Sequence, residues 1–287
     1  MRLVTVLTEA GPRACARYGG RYVDLQRAEA ELPSSVKEIL ALGDEGLKRV
    51  EAVLPIGPTS HDPNTCAILA PILDPGKIIC VGLNYRDHAA ETSSDVPSLP
   101  ILFSKYPSSL VGQGGAIVLP AISSEVDFEA ELVVVIGARG KNIPVDRAIR
   151  VVGGYMVGND ISARDWQLRK PGKQWMAGKT FDTFAPTGPE LVTSDEVVNP
   201  QNLGIKLRLN GETMQDSNSS EMIFRVDALV AHCSTLFTLE PGDLIFTGTP
   251  PGVGMARKPP VWLKAGDRVE VEIDGLGTLS NPVEAEG

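Results

Sequence analysis

The order of apolar and polar positions divides the chain near residue 72. Before it, Leu3-Val4-Thr5-Val6-Leu7, Ala14-Cys15-Ala16-Arg17-Tyr18 and Arg21-Tyr22-Val23-Asp24-Leu25 read as short strands around a Gly19-Gly20 turn. Pro33-Ser34-Ser35 then opens a helix, with Ser34 or Ser35 as its N-cap. Val36, Ile39, Leu40, Leu47, Val50, Val53 and Leu54 keep helical spacing, and Gly43 weakens the middle and is where the helix could split in two. Pro55, Gly57, Pro58, Pro63, Pro71, Pro75 and Gly76 mark an irregular connection. Beyond it the pattern is mainly β: Lys77 to Gly82, Leu132 to Ile136, Leu203 to Leu209, Leu244 to Thr247 and Arg268 to Ile273. Asn210-Gly211 is a hairpin signal, and a helix is expected over about 222–238. The fold class is α+β and β-rich, with a small N-terminal α/β domain over 1–71 and a larger unit over 72–287. No fixed-period repeat interrupts this order.

Candidate chemistry lies in five stretches. The first runs from Asp127 to Gly137 and reads as one strand, so Asp127, Glu129 and Glu131 share a face that continues into Val133 and Val135. A solvated acidic face is one reading. A divalent-cation site is the other, because carboxylates crowded at a core edge repel one another and resist desolvation, and a cation removes both costs. The second is Gly158-Asn159-Asp160-Ile161-Ser162-Ala163-Arg164-Asp165-Trp166-Gln167. Asp160 stands where a strand end meets a new turn, as an N-cap or a ligand. In a helical turn Arg164 and Gln167 project near it and suit a substrate carboxylate; alternatively Arg164 pairs locally with Asp160 or Asp165.

The third stretch carries His88 and Glu91, three apart and therefore side by side on a helix. The carboxylate would orient the imidazole and raise its basicity, unless the two make only a surface contact. In the fourth, Lys179 stands among Trp175, Phe181 and small residues, either stabilising an oxyanion or simply snorkelling. In the fifth, a strand opens into Thr247-Gly248-Thr249-Pro250-Pro251-Gly252, whose N–H groups and Thr249 hydroxyl can meet an anion. The stretch has no P-loop Gly-Lys-Ser/Thr, and the chain holds neither a dinucleotide fingerprint nor a Gly-x-Ser-x-Gly elbow.

Composition narrows the classes. Of 287 residues, 43% are apolar and 22% charged, ordinary for a globular enzyme. No apolar run approaches the roughly 18 residues that cross a bilayer, so no membrane role is expected. The opening Met1 to Leu7 reads as a strand and not as a signal peptide. Formal charge is −9 and the longest basic stretch is Arg257-Lys258, which argues against nucleic-acid binding. Cys15, Cys66, Cys80 and Cys233 form no Cys-x-x-Cys, so free thiols and a cytoplasmic location are expected.

Together these pieces resemble the fumarylacetoacetate hydrolase family from about Pro71 to Val283, most closely its domain-containing group. The resemblance rests on Ser162-Ala163-Arg164-Asp165-Trp166, Gly172-Lys173-Gln174-Trp175, Lys179-Thr180-Phe181-Asp182-Thr183-Phe184 and Thr247 to Gly254. It implies a mixed β-roll catalytic domain and a homodimer. It assigns Glu129, Glu131 and Asp160 as ligands of Mg²⁺ or Mn²⁺, leaving Asp127 outside. It makes His88, Glu91 and Lys179 catalytic, and places Arg164, Gln167, Thr249 and Gly248 against substrate. Residues 1–70 and the stretch Thr92 to Leu99, which covers the active site in relatives, depart from the pattern. An all-oxygen ligand set favours a hard cation. The substrate expected is a small 2-oxo or 2,4-dioxo acid, with hydrolysis of a C–C bond in an acylpyruvate-type acid as the first reading. Water activated by His88 and Glu91 would attack its distal carbonyl. Tautomerisation or decarboxylation of oxaloacetate, or a 2-hydroxymuconate-type isomerisation, is the alternative at the same site. A non-catalytic metabolite-binding protein is disfavoured by the intact His88, Glu91 and Lys179 set.

Overall fold

The computed structural model describes residues 1–91 and 95–287, less the side chains of Thr59 and Ser60. A 12-stranded mixed sheet forms its centre. Its order is Thr59–His61, Arg21–Asp24, Gly11–Tyr18, Arg2–Thr8, Ala185–Thr193, Val152–Asn159, Ala130–Ile136, Leu244–Phe246, Ile78–Gly82 and Ile101–Ser104, with two short strands off this path. A five-stranded sheet runs Glu212–Asn218, Gly204–Leu209, Arg268–Ile273, Gly277–Ala285 and Ile117–Leu119. The chain is thus α+β and rich in strand, as its pattern predicts.

The run Leu132 to Ile136 is continuously apolar because both of its faces are buried. Leu132, Val134 and Ile136 pack toward the second sheet, against Ile205, Leu207, Val269 and Val271. Val133 and Val135 pack on the other side with Leu3, Val36, Ile39 and Leu40. The first 54 residues therefore complete the core of the large sheet, and Arg2 and Leu3 pair with Val192 and Leu191. Buried Glu190 adds a polar tie, accepting from Tyr22 Oη at 2.7 Å and Arg17 Nε at 2.6 Å.

The expected helix splits at Gly43, its weak point, into Val36–Ala41 and Gly43–Val53. Two local readings change. The proline-rich connection contains strand Ala67–Leu69, paired with Arg2–Thr8, as well as Thr59–His61. Its prolines flank these short pieces instead of interrupting a ladder. Leu25–Ala28 is helical, with Asp24 accepting from Arg27 N. The later helix is Val226–Leu236, and Asn210-Gly211 joins Gly204–Leu209 to Glu212–Asn218.

Candidate active site

Four strand ends meet at one rim of the large sheet. Leu244–Phe246 and Ile78–Gly82 run parallel, so both deliver their following loops there. Ala130–Ile136 runs antiparallel to Leu244–Phe246 and to Val152–Asn159. Its beginning and the end of Val152–Asn159 therefore fall at the same rim. This brings Glu129, Glu131, Asp160, Gly248 and Thr249 together from distant parts of the sequence.

The strand expected to run unbroken from Asp127 is interrupted. Val126–Asp127 pairs with Ser162–Ala163, and Ala130–Ile136 begins only after Phe128 and Glu129. The cause is the Asp127 carboxylate. It accepts from the N–H groups of Phe128 at 2.8 Å, Gly254 at 2.7 Å and Met255 at 3.0 Å, and from Arg164 Nε at 2.9 Å. Asp127 anchors backbone and an arginine and does not face the other acids.

One oxygen each from Glu129, Glu131 and Asp160 lies within 4.8 Å of the others, and all three residues are buried. Ser162–Ala163 is held extended by its pairing, so the helical turn expected at Asp160 starts instead at Arg164. Arg164 consequently does not stack over Asp160. Its Nη2 reaches Glu129 Oε1 at 2.6 Å and Asp127 Oδ2 at 2.9 Å, and its Nη1 donates to Gln167 Oε1 at 2.9 Å. Lys179 Nζ lies 2.9 Å from both Glu129 Oε2 and Asp160 Oδ2.

Lys105 was not singled out in the sequence. Its buried Nζ donates to the carbonyls of Ile161 (3.0 Å), Phe184 (2.7 Å) and Lys179, and lies 2.6 Å from Asp160 Oδ1. It staples three segments of the site. The only hint in the sequence is its place just after the strand Ile101–Ser104. Lys105→Met is expected to lower stability by about 3 kcal/mol or more, since it strands three carbonyls and a buried carboxylate. Urea denaturation beside Lys105→Arg checks this; equal stability of Lys105→Met and the parent would refute the staple.

Four carboxylates, Asp127, Glu129, Glu131 and Asp160, are buried with three cations, Lys105, Arg164 and Lys179. One negative charge is left over, and it falls on Glu131. Burial, with repulsion from Asp160 and Glu129, holds the Glu131 carboxyl well above its ordinary range. Its carboxylate accepts from Gly248 N–H at 2.8 Å. Burial also pushes Glu129 up, but Lys179 and Arg164 overcome it and bring that carboxyl down to about 2. Burial lowers the Lys179 ammonium, yet Asp160 and Glu129 outweigh it and raise it. An all-oxygen cluster with excess negative charge fits a hard divalent cation.

Gly248, expected against substrate, spends its N–H on Glu131. Its φ is 95°, and a Cβ there would meet Asn84 Cβ at 2.8 Å, so no larger residue fits. Thr249 Oγ1 accepts from Gln215 Nε2 at 2.8 Å, and Gln215 Oε1 holds Ala130 N–H. Buried Gln215 is a second residue the sequence did not reveal.

His88 and Glu91 lie on the helix Arg86–Glu91 as spaced. His88 Nδ1 is 2.9 Å from Glu91 Oε2, which places the proton on Nδ1 and the lone pair on Nε2. Glu91 Oε1 accepts from Gly252 N at 2.8 Å. His88, Glu129, Arg164, Gln167, Lys179 and Thr249 line one cavity of about 250 Å³, whose other wall is apolar. Of the stretch Thr92 to Leu99, residues 92–94 lie outside the described residues, and Val96 and Leu99 are exposed.

Residues 77–284 match the family described as Fumarylacetoacetate (FAA) hydrolase C-terminal. A Xenopus laevis protein named oxaloacetate tautomerase fahd2, mitochondrial, is 51% identical over 265 residues, covering 92% of this chain and 83% of its own. The 5-carboxymethyl-2-hydroxymuconate delta-isomerase from Mycobacterium smegmatis superposes with a TM-score of 0.78 at 34% identity, covering both chains fully. Maleylpyruvate hydrolase from Sphingobium sp. SYK-6, in complex with manganese(II) ion and pyruvate, gives 0.84 at 28% identity, again over both whole chains. These relatives overturn the cytoplasmic expectation, because the Xenopus protein is mitochondrial by name. Free thiols report reducing surroundings and do not single out the cytoplasm among them.

Proposed function

The chain belongs to the fumarylacetoacetate hydrolase family, and from that premise we propose that it interconverts the keto and enol forms of oxaloacetate with Mg²⁺ or Mn²⁺ bound. The observation that carries this reading is the convergence of Glu129, Glu131 and Asp160. Those three would hold the cation. When bound, it supplies Lewis acidity to the 2-oxo acid and so makes C3 more acidic.

The chain's own groups do the rest. His88 Nε2, oriented by Glu91, exchanges the proton at C3. Two of the three Lys179 donors are used on Glu129 and Asp160, which leaves one for the 2-oxo oxygen as it gains charge. Gln215 donates to the Thr249 oxygen, so the Thr249 proton is free to meet the substrate carboxylate. Gln167, fixed by Arg164, presents its amide N–H groups beside it. As part of the same proposal the protein is a homodimer, which light scattering would test.

Hydrolysis of an acylpyruvate, the first expectation from sequence, becomes the second reading. Likeness to the Xenopus tautomerase supports the order adopted here, and likeness to maleylpyruvate hydrolase keeps the other in view. The enzyme is expected to accelerate decay of the oxaloacetate enol band and to release no acid from an acylpyruvate. Acid release without any effect on the enol band would reverse the assignment.

Loading the cation should also release a proton. Held well above its ordinary range, the Glu131 carboxyl takes up a proton in the cation-free protein at higher pH than an ordinary glutamate does. A raised folded-state pKa favours the cation-free fold at low pH, and that contribution is lost as pH climbs through the raised value. Cation affinity runs the opposite way and weakens as pH falls through it. Calorimetry of Mn²⁺ binding in two buffers of different ionisation enthalpy measures the proton. Identical heats in both would contradict the charge assignment.

A further inference from the structure

The cavity is two-sided. Glu129, Arg164, Lys179, Gln167, Thr249 and His88 form one wall; Ile101, Phe103, Leu168, Trp175, Met255 and Val81 form the other. Oxaloacetate has no use for the second wall. Its far carboxylate would need a donor there, and burial against rings and alkyl groups without one is costly. Of the Arg and Lys side chains lining the cavity among the described residues, Arg164 is committed to Asp127 and Glu129, and the one donor Lys179 has left is the one assigned above to the 2-oxo oxygen.

The apolar wall is also built with care. Trp175 meets Phe103 edge-on at 5.7 Å between centroids. Its ring lies against Gly82, where a Cβ would stand 2.2 Å from Trp175 Cζ3. Any side chain at 82 would displace the indole. At the mouth, Ile101 and Leu168 remain 39% and 36% exposed, so the apolar lining continues out to the rim.

We propose that this wall receives an apolar substituent on C3, so that the protein also binds and tautomerises 2-oxo acids carrying an aryl group there. The proposal rests on the oxo-acid reading above and extends its substrate class. The chemistry balances without a co-reactant: one proton leaves C3 and one joins the 2-oxo oxygen. The substituent packs on Trp175 and Phe103, where offset or edge-on contact of rings is favourable.

Phenylpyruvate and pyruvate differ by that ring and serve as probes, titrated by calorimetry into the Mn²⁺-loaded protein. Phenylpyruvate is expected to bind at least about tenfold more tightly than pyruvate, and its enol to decay faster than in buffer. Trp175→Ala should bring the two affinities together. Leu168→Arg, at a half-exposed rim position where folding is not at stake, should do the same and improve the relative affinity for oxaloacetate. If pyruvate binds and phenylpyruvate gains nothing, the aryl inference falls and the oxo-acid reading stands. It falls equally if the advantage survives both substitutions. If pyruvate itself fails to bind, the oxo-acid reading falls and takes this inference with it.

Discussion

Glu131→Gln is expected to cut turnover by about 10³-fold or more, because it removes a ligand of the cation that acidifies the substrate. The same substitution should make the cation-free protein more stable. Glu131 sits buried beside Glu129 and Asp160 with the site's unbalanced charge, and repulsion and desolvation both press its carboxyl upward. An amide of the same shape keeps an oxygen for Gly248 N–H and requires neither a buried charge nor proton uptake on folding. A melting temperature higher by on the order of 5 °C is expected without cation. Added Mn²⁺ should stabilise the parent and leave the variant unchanged. Thermal melts with and without Mn²⁺, beside steady-state rates, check both halves. A variant that melts lower and still answers to Mn²⁺ would refute the charge assignment.

His88→Ala carries the second large effect. Loss of a positioned general base is expected to lower kcat by about 10²- to 10⁴-fold. KM and Mn²⁺ affinity should change little, since His88 belongs to no part of the carboxylate cluster. The split between kcat and KM separates this from structural damage. Glu91→Gln should reproduce part of the loss, because it weakens the hydrogen bond that orients the ring. If His88→Ala keeps its kcat, the proton is handled elsewhere.

Local pattern and long-range contact account for what was legible beforehand. The buried strand Ala130–Ile136 shows in its unbroken apolar run, and the Asn210-Gly211 hairpin in its turn residues. Glu129 and Glu131 share a face by the period of two, so their pairing is local information. His88 and Glu91 share one helical turn for the same reason. Asp160 enters the set only through likeness to a family, since pairing of two strands brings it beside Glu129.

Several misread features depend on partners far along the chain. Asp127 leaves the acidic face because N–H groups of Gly254 and Met255 and the Arg164 guanidinium capture it. Arg164 misses Asp160 because Ser162–Ala163 pairs with Val126–Asp127 and stays extended. Lys105 acquires meaning only when Ile161, Lys179 and Phe184 turn their carbonyls toward it. The strands within the proline-rich connection need the edges of Arg2–Thr8 and Arg21–Asp24 to form.

The central claim is that Glu129, Glu131 and Asp160 hold one cation that engages a small oxo acid. Anomalous diffraction from a crystal soaked with Mn²⁺ and oxalate tests it most directly. The account predicts a single strong peak bonded to one oxygen of each of those residues and chelated by oxalate. A peak at any other place, or none beside these three side chains, would contradict it.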